Sequence, residues 1–226
     1  MIEAHLAATV TPDETAFPVF VHTIEHPDGL VLVDTGMIDS VPELDEEWHP
    51  TPYPLPPELV ARVALVINTH LHFDHCGGNR LFPGVPIHVQ SRELSDARSE
   101  EDYTVPGWVD FPGATYVEHS GDADVLPGVR LLPTPGHTAG HQAVLVDTGE
   151  GCVVLGGDVA YTFKELGEAK TAGQRRVLDL GLPTWLAHVD PVAGLDPVAV
   201  DEELSLGRGR SHSGSLMSYS RWRRSR

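Results

Sequence analysis

The sequence predicts an α/β fold of packed sheets flanked by helices, and three observations carry that prediction. Eight short apolar runs, each of strand length, are spread along the chain. Helical stretches are fewer and fall among and after those runs, an order that favours sheets covered by helices. With 226 residues, 41% of them hydrophobic, the chain can bury a substantial core as one domain.

In chain order, residues 18–24, 30–34, 63–68, 85–89, 115–118, 129–133, 143–146 and 152–155 read as strands. A helical turn is expected near residues 56–60, with helices over 91–98 and 164–181. The stretch from Trp48 to Pro57 is stiff and aromatic, and a second loop carries Tyr103, Trp108 and Phe111. These aromatics either pack as surface loops or line the mouth of a cavity and hold an acyl chain. Residues 1–206 form the expected domain, of which 193–206 is a weak connector; residues 207–226, rich in Ser, Gly and Arg and without periodicity, read as a disordered tail.

Charge narrows the function. The chain holds 15 basic and 33 acidic residues, and the last twenty contain six arginines and no acid. The first 206 therefore hold 9 basic against 33 acidic residues, a net of −24, which repels nucleic acid phosphates and leaves a neutral small molecule unopposed. The two cysteines give no disulfide framework, the start lacks a basic region followed by an apolar core, and no run of about 18 apolar residues occurs. A soluble, cytoplasmic protein that binds neither nucleic acid nor membrane is expected.

The densest chemistry follows the apolar run 64–67. Thr69-His70-Leu71-His72-Phe73-Asp74-His75 places three imidazoles and a carboxylate in six residues, more than packing requires. If the chain stays extended past the strand, His70, His72 and Asp74 share one side, and Cys76-Gly77-Gly78-Asn79 then turns it so that Asp74 and His75 face different sides of a cavity. One ion can take His70 and His72, a second Asp74 and His75. Further donors close later apolar runs: His137 after Pro135-Gly136, Asp158 after Gly156-Gly157 and able to bridge two cations, and His188 after residues 183–187. Asp34 ends a clear strand and either orients a ligating imidazole or caps a turn. His141 stays structural because a glycine separates it from His137, and Cys76 reads as a packed thiol.

His70-x-His72-x-Asp74-His75, followed by His137, Asp158 and His188, resembles the metallo-beta-lactamase superfamily, and within it the N-acyl homoserine lactonase family. The likeness extends through Leu32-Val33-Asp34-Thr35-Gly36, residues 134–142 and Asp158-Val159-Ala160-Tyr161, over roughly residues 15–191. It departs at Val189, where that family usually has Asp directly after the last His. The resemblance implies an αββα sandwich and two divalent metal ions, zinc foremost. His70, His72 and His137 would hold one, Asp74, His75 and His188 the other, with Asp158 shared. It implies attack by a metal-held hydroxide on a lactone carbonyl, with Tyr161 polarising the carbonyl oxygen and Asp74 returning the proton. A thioesterase or beta-lactamase of the same fold, a single-iron dioxygenase, and an inactive zinc-stabilised binding module are the alternatives.

Overall fold

The computed structural model describes residues 1–13, 15–149 and 151–180. Strands β1 (Ile2–Val10), β2 (Phe17–His26), β3 (Gly29–Val33), β4 (Thr51–Pro52), β5 (Val63–Ile67), β6 (Pro86–Gln90) and β7 (Thr115–His119) form a seven-stranded sheet in the order β4-β1-β2-β3-β5-β6-β7. Strands β8 (Ala123–Leu126), β9 (Val129–Pro133), β10 (Gln142–Asp147) and β11 (Cys152–Leu155) form a second sheet in the order β11-β10-β9-β8. The second sheet is antiparallel throughout. In the first, β1 to β3 are antiparallel, and β3, β5, β6 and β7 run parallel.

Alternation of side chains along the strands builds the layers. Val31 and Val33 of β3 face the inter-sheet core with Ile24, Ile67, Val129, Leu131, Val144, Val146 and Leu155, whereas Leu30 and Leu32 turn to the opposite face and pack with Val66, Ile87, Phe82 and Phe111. Burying each such side chain contributes about 1.5–3 kcal/mol. On the outer face of the second sheet, Leu132, Ala143 and Val154 meet Leu166 of α6 (Phe163–Glu168) and Val177 of α7 (Ala172–Leu178). Leu94 and Ala97 of α4 (Ser91–Ser99) pack on Val89 and Leu71 beside the first sheet. The layers are helix, sheet, sheet, helix, as expected.

Several expectations need correction. The first strand, β1, carries Glu3 and His5 among small residues and pairs with β2 in place of showing a clean apolar run. One helix over 164–181 is in fact two. Ala169 enters the left-handed region at φ 49, and Thr171 starts α7 with a capping box: its hydroxyl accepts from Gln174 N at 3.1 Å while Gln174 Oε1 accepts from Thr171 N at 3.0 Å. Three short helices went unforeseen: α1 (Pro42–Trp48), α3 (Phe73–Cys76) and α5 (Pro106–Val109); α2 (Pro57–Val60) matches the expected turn. The connector and tail expected over 193–226, and His188, lie outside the described residues.

A chain of neutral side chains crosses from one sheet to the other. Thr35 Oγ1 donates to Asn79 Oδ1 and Asn79 Nδ2 to Asn68 Oδ1, each at 2.9 Å. Gln142 Nε2 donates to Asn68 O at 2.8 Å, Gln90 Nε2 to Gln142 Oε1 at 2.8 Å, and Gly121 N to Gln90 Oε1 at 3.0 Å. All four amide side chains are buried, so each link satisfies groups that would otherwise be costly to desolvate.

Close packing, more than turn geometry, explains Gly78. Its φ of −88° suits any residue, but a Cβ there would lie 2.4 Å from Thr35 O. Gly78→Ala is expected to cost about 1–3 kcal/mol in urea unfolding at fixed metal loading. Gly107→Ala, where nothing lies within 4 Å, should stay within about 0.5 kcal/mol of wild type.

Candidate metal centre

Both sheets deliver their donors to one edge. After β5 the chain bends at Thr69, His72 itself is extended, with ψ 156, and the backbone then coils into α3. Asp74 therefore sits in a helical turn, and the expected extended run from His70 to Asp74 stops at His72. The turn closes because Cys76 N and Gly77 N donate to His72 O and Phe73 O, each at 3.0 Å. From the second sheet, the loop joining β9 to β10 carries His137, and a 3-10 turn after β11 (Gly157–Val159) carries Asp158. Gln142 N donates to Thr69 O at 2.9 Å and ties the two sheets together at this edge. Gly157, at φ +51, lets the Asp158 turn approach Thr69, whose Oγ1 would be 2.7 Å from a Cβ.

Six of the seven expected ligands converge. His72 Nδ1 is 2.9 Å from His137 Nε2; His75 Nε2 is 3.3 Å from Asp158 Oδ1 and 3.7 Å from Asp74 Oδ2; and His137 Nε2 is 3.4 Å from Asp158 Oδ2. The His70 ring lies 4.2 to 4.7 Å, centre to centre, from the rings of His75, His72 and His137. Two groups place one donor atom per residue within 4.8 Å of each other: His70, His72 and His137, and His70, His75 and Asp158.

Hydrogen bonds behind the cluster set the ring tautomers. Asp34, at φ 59, accepts from Thr69 N on Oδ1 and from Thr69 Oγ1 on Oδ2, both at 2.7 Å, and its Oδ2 also meets His75 Nδ1 at 2.9 Å. Asp34 therefore orients an imidazole, one of its two expected roles. Thr69 has spent its only hydroxyl hydrogen on Asp34, so in the 3.1 Å contact with His70 the ring Nδ1–H donates. This leaves His70 Nε2 a bare lone pair, and it is buried without a hydrogen-bond partner, as is Asp74 Oδ1. Such atoms are costly to bury, and bound cations would answer each of them. His137 follows the same rule, its Nδ1 3.2 Å from Tyr161 Oη while Nε2 faces His72 and Asp158.

The electrostatics agree with that fit. Burial holds His70, His72 and His137 below the ordinary imidazole range, as neutral ligands require. His75 goes the other way: burial opposes its charge, but Asp158, Asp74 and Asp34 together outweigh burial and raise it well above that range. Burial lifts Asp74 to about 6. For Asp158 burial is overcome by His75 and His137, which hold it well below the usual carboxylate range.

Nearby residues sort themselves. Cys76 donates its thiol to Leu71 O at 3.3 Å and burial pushes it up to about 12, so it is a packed thiol as read. His141 Nδ1 lies 2.7 Å from Thr134 Oγ1, and its ring sits 5.3 Å from that of His70. Trp108 and Phe111 are buried residues and not surface loop aromatics. Tyr103 is half-buried with its ring 5.1 Å from that of His72, and its phenol donates to Glu93 Oε1 at 2.5 Å. Glu93 itself was not foreseen. It is a fully buried acid in the first turn of α4, where an acidic side chain ordinarily signals only a helix start.

With this fold and site, the chain belongs to the metallo-beta-lactamase superfamily, whose model matches residues 15–206. It is similar to N-acyl homoserine lactonase from Bacillus sp, 37% identical over 181 residues and 69% of each chain. Among solved structures it is similar to a mutant of Bacillus thuringiensis AiiA with N-decanoyl-L-homoserine bound at the active site (28% identity, TM-score 0.66, covering 79% of this chain and 84% of that one). It is likewise similar to an N-acyl homoserine lactone hydrolase with the product N-hexanoyl-L-homoserine at the catalytic metal center (28% identity, TM-score 0.64, 79% and 83% coverage).

Asp34→Ala would strand Thr69 N, Thr69 Oγ1 and His75 Nδ1 in the interior, so a loss above about 2 kcal/mol in chemical denaturation is expected. Asp39→Ala, which breaks only the exposed pair with Arg80, should change stability by less than about 0.5 kcal/mol.

Proposed function

We propose that this chain is a metal-dependent hydrolase that opens the ester ring of N-acyl homoserine lactones. The carrying observation is the phenol of Tyr161 set 3.2 Å from His137 at the edge of a buried His and Asp cluster, in a chain 37% identical to an N-acyl homoserine lactonase. The ligands of one metal would be His70, His72 and His137, and of the other Asp74, His75 and His188, with Asp158 shared. The orphaned His70 Nε2 and Asp74 Oδ1 support this assignment. Imidazole with carboxylate suits zinc, our choice, among other divalent ions. When bound, such ions lower the pKa of water toward neutrality and polarise a carbonyl.

The chain's own residues would do the rest. With His137 Nδ1–H donating to the Tyr161 oxygen, the phenol hydrogen is the one Tyr161 would give to the oxygen of the opening lactone as charge grows there. The Asp74 carboxyl is the group to return a proton to the leaving alkoxide. The neutral substrate is one that the acidic body does not repel, and nucleic acid is not a partner of this surface. Among the described residues no helix is long and apolar enough to cross a membrane. Free Cys76 and Cys152 support a reducing, cytoplasmic setting.

Purified protein should carry about two zinc ions per chain, and His188→Ala should lower that number; an unchanged count moves the seventh ligand elsewhere. An N-acyl homoserine lactone, a thioester and a beta-lactam assayed side by side should give turnover of the lactone, and a preference for either other substrate would reject the reading. Tyr161→Phe should slow ring opening about 10- to 1000-fold with the zinc content kept. An undiminished rate would make Tyr161 a packing residue.

A further inference from the structure

Glu93 is a carboxylate that nothing in the proposed chemistry uses, yet it is fully buried. Its Oε1 accepts from Leu71 N at 2.8 Å and from Tyr103 Oη at 2.5 Å, and its Oε2 accepts from Thr138 Oγ1 at 2.6 Å. Leu71 stands between His70 and His72. Thr138 follows His137. The Tyr103 ring packs against His72. One side chain thus grips, at once, the loop that leaves the first sheet and the loop that leaves the second. The approach is tight: a Cβ at Gly140, on the second loop, would fall 2.2 Å from Glu93 N, so that loop lies directly on the first turn of α4. Burying an unpaired carboxylate is expensive, and a stability role alone would be met as well by an apolar side chain of the same size. Three converging donors, two of them on the metal-binding loops, are what positioning asks for.

We infer that Glu93 is a positioning residue of the metal centre, fixing the separation of His72 and His137 by clamping Leu71 N and Thr138 Oγ1 on one carboxylate. This rests on the functional reading above, in which those two histidines share an ion. Their nitrogens face each other at 2.9 Å, although they belong to loops from different sheets. Release of either arm lets one loop move without the other.

The test uses the full chain with zinc alone, and then cobalt alone as a spectroscopic probe. Zinc affinity is read by competition with a chelator, and the visible bands of the cobalt form report the geometry around the ion. Glu93→Gln and Thr138→Val should each weaken zinc binding about 10- to 100-fold and shift the cobalt bands. Their combination should cost less than the product of the two, since both break one contact. Val146→Ala, a core change between the sheets that touches neither loop, should lower stability and leave affinity and spectrum at wild-type values. If Thr138→Val, which keeps the side-chain shape, and Glu93→Gln both behave like Val146→Ala, Glu93 is only structural and the inference is overturned. A wild-type chain that takes up no zinc overturns the functional reading and this inference with it.

Discussion

The carboxylate of Asp34 is the constraint on which the site depends. It lies at the end of β3, held in a left-handed backbone conformation that costs a non-glycine residue about a kilocalorie or more. What it gains is three donors from the neighbouring strand-end loop, two on Thr69 and one on His75. Through Thr69 it also decides which nitrogen of His70 carries hydrogen. A single residue in the loop after β3 thus fixes the tautomer and direction of two imidazoles in the loop after β5. The parallel pairing of β3 and β5 is what brings those loops side by side.

The rest of the cluster depends on a meeting between layers. Sandwiched sheets share a core, but their end loops converge only where hydrogen bonds draw them together, here through Gln142 N to Thr69 O and through Glu93. The consequence is a buried group of four imidazoles and two carboxylates with mismatched demands. Three rings are kept neutral by burial, and His75 is pulled toward charge by three acids. A dry interior tolerates such a group when cations balance it.

Much of this was legible in the sequence because the candidate ligands sit within a few residues of strand ends, where local spacing and spatial proximity coincide. His70, His72, Asp74 and His75 lie within a span of six residues, and His137 and Asp158 each follow an apolar run with glycine beside it. What was illegible is informative. Asp74 was read into an extended run and lies in α3, because nothing in Phe73-Asp74-His75-Cys76 announces a single helical turn. The split between α6 and α7 was readable in principle, since Thr171 and Gln174 have capping-box spacing, yet the apolar positions on both sides continued the pattern. Glu93 could not have been found, because an acid near a helix start looks the same whether it faces water or a loop from another sheet. Trp108 and Phe111 misled in the opposite sense: aromatic residues in an apparent loop turned out to be core.

The amide chain from Thr35 through Asn79, Asn68, Gln142 and Gln90 to Gly121 has a further meaning beside this cluster. Asn68 also donates to the carbonyl of His75 at 3.3 Å, so the chain abuts the His and Asp cluster directly. Amides and hydroxyls neither gain nor lose protons across the physiological range, whereas the imidazoles and carboxylates next to them do. The polar interior is thereby partitioned into an ionisable compartment and an inert lattice that carries the junction between layers. A change of charge in the first compartment would leave the hydrogen-bond complement of the second intact, and with it the junction that holds the two layers in register.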